Sequence, residues 1–175
     1  MVGFAAGMAS FDAVNDHQRT TASLRPMRAD EFDAFLAYSM ESYARGIATQ
    51  GSESEEFARA KSKADHATIL PQGLDTPGHW IFVVEAGGQR VGVLWLAERE
   101  HGNEKVCFIY DIEIDEAHRG RGYGRVAMEL AEIEARSHGL RRISLNVFGA
   151  NEVARNLYRA LGYVETSVQM AKDLA

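Results

Sequence analysis

Apolar and polar positions along this chain keep two different periods, and the order in which the periods change outlines a fold. SLRPM (23–27) reads as a short strand. Asp30 then stands where it would cap a helix whose apolar positions Phe32, Phe35, Leu36, Met40 and Tyr43 recur at helical spacing. A second helix is expected from 55 to about 67. Its stripe of Phe57, Ala60, Ala64 and Ala67 is thin, which suits a helix lying on the surface over something else. LPQGLDTPGH (70–79) stops helix formation and turns the chain. WIFVVEA (80–86) and RVGVLWLA (90–97), both rich in β-branched and aromatic residues, flank GGQ and read as a hairpin. A polar turn, EREHGNEK (98–105), leads to a strand ending at Asp115.

Beyond it, Val126, Ala127, Leu130 and Ile133 mark the buried face of a helix that Gly139 terminates. RISLNVF (142–148) is another strand, 151–161 a short helix closed by Gly162, and YVETSVQMAK (163–172) a final strand. The early strands pair antiparallel, while strand, helix and strand in succession imply a right-handed crossover between parallel neighbours. The expected fold is a mixed α/β sheet with helices on its faces.

Composition narrows the class. A chain of 175 residues, 46% hydrophobic and 25% charged, suits one buried core, placed here at 23–175 behind a loose leader over 1–22. That leader lacks the positively charged start of a signal peptide, and its apolar stretch is short and glycine-interrupted. No segment approaches the ~20 apolar residues of a membrane span, so a cytoplasmic protein with no membrane partner is the default expectation. The net charge of −6 supplies no basic field for nucleic acid and suits a cationic substrate better. The single cysteine, Cys107, reads as a buried apolar residue. No paired histidine spacing assembles a zinc site with it, so no metal is expected.

One stretch breaks local rules. HRGRGYGR (118–125) lies between a strand and a helix, yet places three glycines and three arginines where a helix should begin. Glycine costs a helix about 1 kcal/mol against alanine, and cations oppose the positive end of the helix dipole. An anion at this turn would remove both conflicts: helix N-terminal N–H groups and close glycine backbone hold it, and the arginines become ligands. A solvated arginine-rich loop is the alternative. The G-x-G-x-G spacing differs from the dinucleotide fingerprint, and no glycine-lysine-serine ending marks an NTP loop.

DIEIDEAHRGRGYG (111–124) together with NEVARNLYRALGY (151–163) resembles the GNAT superfamily of acetyl-CoA-dependent N-acetyltransferases. Arg119, Gly122 and Gly124 match its Arg/Gln-x-x-Gly-x-Gly/Ala motif, and Asn151, Ala154, Leu157, Tyr158, Gly162 and Tyr163 match its second block. The resemblance implies one domain with a mixed, mostly antiparallel sheet, a central parallel pair splayed for CoA, and helices on both faces. It implies acetyl-CoA as cosubstrate, with its pyrophosphate on the backbone of Arg119, Gly120, Arg121, Gly122, Tyr123, Gly124 and Arg125. Side chains of Arg119, Arg121 and Arg125 would add contacts to phosphate, although Arg121 and Arg125 read equally as surface charges. Pantetheine would run along the main chain at Ile112 and Ile114, whose side chains read as core. Asn151 would touch the cofactor or simply cap its helix.

The reaction so implied is attack by a neutral primary amine on the thioester carbonyl, followed by expulsion of the CoA thiolate. A backbone N–H near Ile112 would serve the oxyanion, and Tyr158 would protonate the sulfur. Tyr158 also belongs to an apolar stripe with Ala154, Leu157 and Leu161, so a core aromatic is its other reading. The base stays unassigned. Asn146 stands where some relatives carry glutamate, and Asp111, Glu113 or a water held by Tyr110 are the remaining candidates. The resemblance implies that the N-terminal helices and the 70–79 turn line the acceptor side, where this chain carries acids such as Glu41, Glu53, Glu55 and Glu56. The competing functions are a non-catalytic acyl-CoA sensor of the same fold and a nucleotide-binding regulator; whether the chain forms a homodimer is left open.

Overall fold

The computed structural model describes residues 20–50, 54–172 and 174. Its centre is the expected hairpin. Gly87 and Gly88 take φ of 58° and 76°, as a tight two-residue turn of the right hand requires, and join β2 (His79–Ala86) to β3 (Gln89–His101). β1 (Ser23–Pro26) pairs antiparallel with β2, and β4 (Glu104–Ile114) pairs antiparallel with β3. The stretch 98–105 is not a long turn. Both strands continue through it to a turn at Gly102 and Asn103, with Lys105 Nζ 2.6 Å from the Glu98 carboxylate. Charged strand ends stay in the ladder because cross-strand pairing of opposite charge favours them.

β4 leads through α3 (Tyr123–Ser137) into β5 (Ile143–Leu145), which lies parallel to it, so the sheet order is β1-β2-β3-β4-β5. α1 (Ala29–Gln50) and α2 (Glu55–Ile69) cover one face; α3 and α4 (Glu152–Ala160) cover the other. On the first face Val83, Val93 and Trp95 pack with Met27, Phe35 and Leu70. On the second Leu94, Leu96, Cys107 and Ile109 pack with Ala127, Met128 and Ala131. No described helix is long and apolar enough to cross a membrane.

Four local expectations change. α1 starts at Ala29, before Asp30, because Glu31 reaches back to the Arg28 N–H (2.9 Å) and closes the turn in place of an Asp30 cap. α2 buries Ala58, Ser62 and His66, while Phe57 is half exposed, and Ala60, Ala64 and Ala67 face outward. α3 buries Ala127, Met128, Ala131 and Ala135 and leaves Ile133 58% exposed; the small residues let the helix approach the sheet closely. Finally, residues 163–172 form no strand. Glu165 accepts from Arg155 (2.9 Å) and Arg159 (2.6 Å), which ties this segment to α4. The parallel pair β4–β5 therefore stands at the edge of the described sheet rather than at its centre.

Two predictions follow from this packing. Gly92 lies on β3 opposite Ile114, and a Cβ there would run into the Glu113 carbonyl. Gly92→Ala should lower stability by about 1–3 kcal/mol, as overpacking does, with urea unfolding as the measurement. Glu31 is held at a pKa of about 2, first by the Arg25 guanidinium and then by the Arg28 N–H. A depressed carboxylate contributes stability above its ordinary pKa near 4.5 and loses it as pH falls toward 2. Glu31→Gln should therefore flatten the acid limb of the stability curve between those values.

Candidate active site

The register between β3 and β4 shifts between Trp95 and Leu96: Asp111 pairs with Trp95 and Ile109 with Leu96, leaving Tyr110 as the extra residue of a bulge. Side chains of consecutive strand residues normally point to opposite faces. Here Tyr110 stacks on Trp95 (4.6 Å between centroids), and Asp111 accepts from Ser39 Oγ on α1 (2.8 Å), so both lie under the α1–α2 layer.

The bulge also changes which backbone groups face β5. Below it, the Cys107 N–H donates to Arg142 (2.8 Å), so 107 and 109 face β5. Above it, the Asp115 N–H donates to Val91 (2.9 Å). By alternation 111 and 113 also face β3, while Ile112 and Ile114 turn their N–H and C=O outward. β5 ends at Leu145, opposite Ile109, so no strand covers them. The Ile114 carbonyl is taken by Arg119 Nε (2.9 Å), which leaves the Ile112 carbonyl and the Ile114 N–H along an open edge, while the Ile112 N–H interacts with the Asp111 carboxylate.

The glycine turn follows immediately. Gly120 and Gly122 have φ of 75° and 85°, and Gly122 stands at the N-cap of α3. Among the described residues the N–H groups of 120–124 find no acceptor, and the Arg121 carbonyl accepts from Thr20 Oγ1 (2.6 Å). Arg121 and Arg125 are exposed and make no ion pair with the described residues. Arg119 differs: besides Ile114 it binds the Glu113 carboxylate (2.9 Å), so its guanidinium braces the end of β4.

α4 closes the other side. The Asn151 carboxamide accepts from the Ala154 N–H (3.2 Å) and caps the helix. Leu157 lies against Gly124, where a Cβ would sit 3.3 Å from it, and Leu157, Tyr158, Leu161 and Tyr163 pack on the second core. Burial, and next the Asp111 carboxylate, push the Tyr158 hydroxyl above its ordinary pKa, keeping it protonated at neutral pH. Cys107 is fully buried and its thiol is pushed up to about 11, as an inert core residue.

Of the acids, Glu113 is held by the Tyr38 hydroxyl and Arg119. Asp111 is pushed up to about 6 by burial, an effect that the Ser39 hydroxyl partly offsets. Asn146 is exposed just past β5. Glu41 on α1 pairs with Arg59 on α2, Glu55 pairs with the same arginine within α2, Glu56 is exposed, and Glu53 lies outside the described residues. Sequence reasoning missed Ser39 and His66. Both are buried, and the Ser39 hydroxyl lies 3.3 Å from His66 Nε2. The signal was polar residues inside apolar rows, Ser39 within the α1 stripe and Ser62 and His66 four apart on α2.

The comparisons with known proteins show the family. The model of the acetyltransferase (GNAT) family matches residues 41–163. The uncharacterized N-acetyltransferase YycN of Bacillus subtilis is 39% identical over 88% of this chain and 99% of its own length, and YdgE of the same organism is 34% identical over 87% and 98%. The crystal structure of Bacillus subtilis YycN superposes with a TM-score of 0.84 at 36% identity, covering 89% of this chain and 99% of that one. AAC(6')-Iy, solved in complex with a CoA bisubstrate analogue, shares the fold at 18% identity, with a TM-score of 0.58 and coverage of 89% and 99%. With an open β4 edge meeting a glycine turn at the head of α3, and with the family matched over most of its length, the chain belongs to the GNAT family of N-acetyltransferases.

Proposed function

We propose that this enzyme transfers the acetyl group of acetyl-CoA to a primary amine by direct attack on the thioester. The observation that carries the reading is the continuity of backbone uncovered by any strand, from Ile112 and Ile114 on β4 to the N–H row of 120–124, which finds no acceptor among the described residues. The row suits a pyrophosphate, since helix N-terminal N–H groups favour anions, and Arg121 and Arg125 add free positive charge beside it. The uncovered β4 edge suits pantetheine, whose amides can pair with it as a strand would. The CoA analogue bound to AAC(6')-Iy in the same fold supports this use.

A backbone N–H near Ile112 is the donor for the oxyanion, and Tyr158 is the acid for the departing sulfur. Tyr158 is well placed for that task because burial keeps its proton on at neutral pH. Asn151 is occupied as a helix cap and acts on the cofactor only through the position of α4. Acetyl-CoA assayed with polyamines, aminoglycosides, amino acids and peptide amines should release free CoA thiol with at least one class. Thiol release with none of them would overturn the reaction.

Gly122→Val and Gly124→Val should each abolish acetyl-CoA binding measured by calorimetry, the first through its left-handed backbone, the second through crowding at Leu157. Thermal melts should show both variants folded, and wild-type affinity in both would overturn the cofactor assignment. Tyr158→Phe should keep acetyl-CoA affinity and lower single-turnover transfer by roughly 10²-fold. An unchanged rate across pH would return Tyr158 to a packing role.

A further inference from the structure

The glycine turn takes its shape from glycine and its orientation from one hydroxyl. Gly122 has φ of 85° and ψ of −5°, the angles of the third residue of a type II turn. A type I turn differs from it by a rotation of the middle peptide unit through about 180°, which changes only ψ of the second residue and φ of the third. Here that unit joins Arg121 to Gly122. Glycine accepts either sign of φ, so the residue that permits the observed turn also permits its flipped form. The peptide unit is planar and trans, with its C=O and N–H pointing in opposite directions. A flip would exchange the two, and the row of 120–124 would present an oxygen in place of the Gly122 N–H.

Thr20 stands against that flip. Its Oγ1 donates to the Arg121 carbonyl (2.6 Å), and no other donor among the described residues reaches this oxygen. The same Oγ1 lies 3.1 Å from where a Cβ on Gly122 would be, so the hydroxyl covers one face of the turn. Thr20 is itself anchored close by: Ala22 packs on the core of the second face, and Ser23, the first residue of β1, pairs with Glu85. From the helix side, the Gly122 carbonyl accepts from the N–H groups of Arg125 (3.1 Å) and Val126 (3.3 Å). Those bonds hold the peptide unit after Gly122 and leave the unit before it to Thr20.

We infer that Thr20 is a positioning residue for acetyl-CoA: its hydroxyl holds the 121–122 peptide so that the Gly122 N–H faces the pyrophosphate. The inference rests on the cofactor reading above. It adds a residue outside both sequence motifs and ahead of the matched stretch 41–163. Thr20 touches no reacting atom. With the Arg121 carbonyl engaged, the donor row is complete before the anion arrives. Without that bond, a fraction of the protein carries an oxygen in the row, and apparent affinity falls with the fraction that remains competent.

The test compares Thr20→Val, which keeps the shape and removes the donor, with Thr20→Ser, which keeps the donor. Binding is followed by amide NMR with acetyl-CoA and with S-acetylpantetheine, which lacks the pyrophosphate. Thr20→Val should weaken acetyl-CoA about 3- to 10-fold, the equivalent of one hydrogen bond, and leave S-acetylpantetheine unchanged. It should also move the Gly122 amide signal of the unliganded protein, while Thr20→Ser should match the wild type in all three respects. Wild-type affinity for acetyl-CoA in Thr20→Val overturns the inference. So does an equal loss for both ligands, which marks a loosened strand rather than a turned peptide. A wild type that binds S-acetylpantetheine as tightly as acetyl-CoA, or binds neither, overturns the cofactor reading itself and the role of Thr20 with it.

Discussion

Everything that distinguishes this site descends from one extra residue in one strand. The bulge at Tyr110 turns Tyr110 and Asp111 to the same face, under the α1–α2 layer, and switches the backbone so that Ile112 and Ile114 present their amides away from β3. A regular strand would keep its odd residues facing β5, and the amides of Ile112 and Ile114 would be consumed by β3. Because β5 ends at Leu145, this stretch of backbone pairs with no further strand. An unpaired sheet edge is ordinarily a liability, and here it forms the floor of the site.

The rest of the molecule holds that edge rigid. β3 is buried from Val91 to Ala97, which anchors β4 through a continuous ladder up to the mouth of the site. Arg119 ties the last carbonyl of β4 to the first residues of the glycine turn, and its partner Glu113 is held in turn by Tyr38 of α1. These ionic contacts are partly exposed, so each adds little to stability. Their effect is positional: strand end, turn and α1 share one polar junction.

Asp111 and Tyr158 differ in ionisation through their surroundings. Burial raises both, which brings the carboxyl toward neutrality and keeps the phenol protonated.

What the sequence by itself determined were features set by neighbours in the chain. The two-glycine hairpin, the glycine turn between strand and helix, the α4 stripe with Asn151 before it and Gly162 after it, and the apolar stripe of α1 all depend on local period and backbone freedom. They form as the local pattern directs. The tertiary structure decided the partnerships. Ser39 meets His66 across 27 residues and Asp111 across 72, and neither contact leaves a periodic trace. Arg119 turns back to Glu113 and Ile114, and α2 buries Ser62 and His66 in place of its alanine stripe. Alternation over 163–172 reads as a strand, yet an unpaired segment gains no ladder bonds, and the arginines of α4 hold it through Glu165 instead. A period records which face of an element is apolar; which polar groups meet is fixed only when the sheet brings distant faces together.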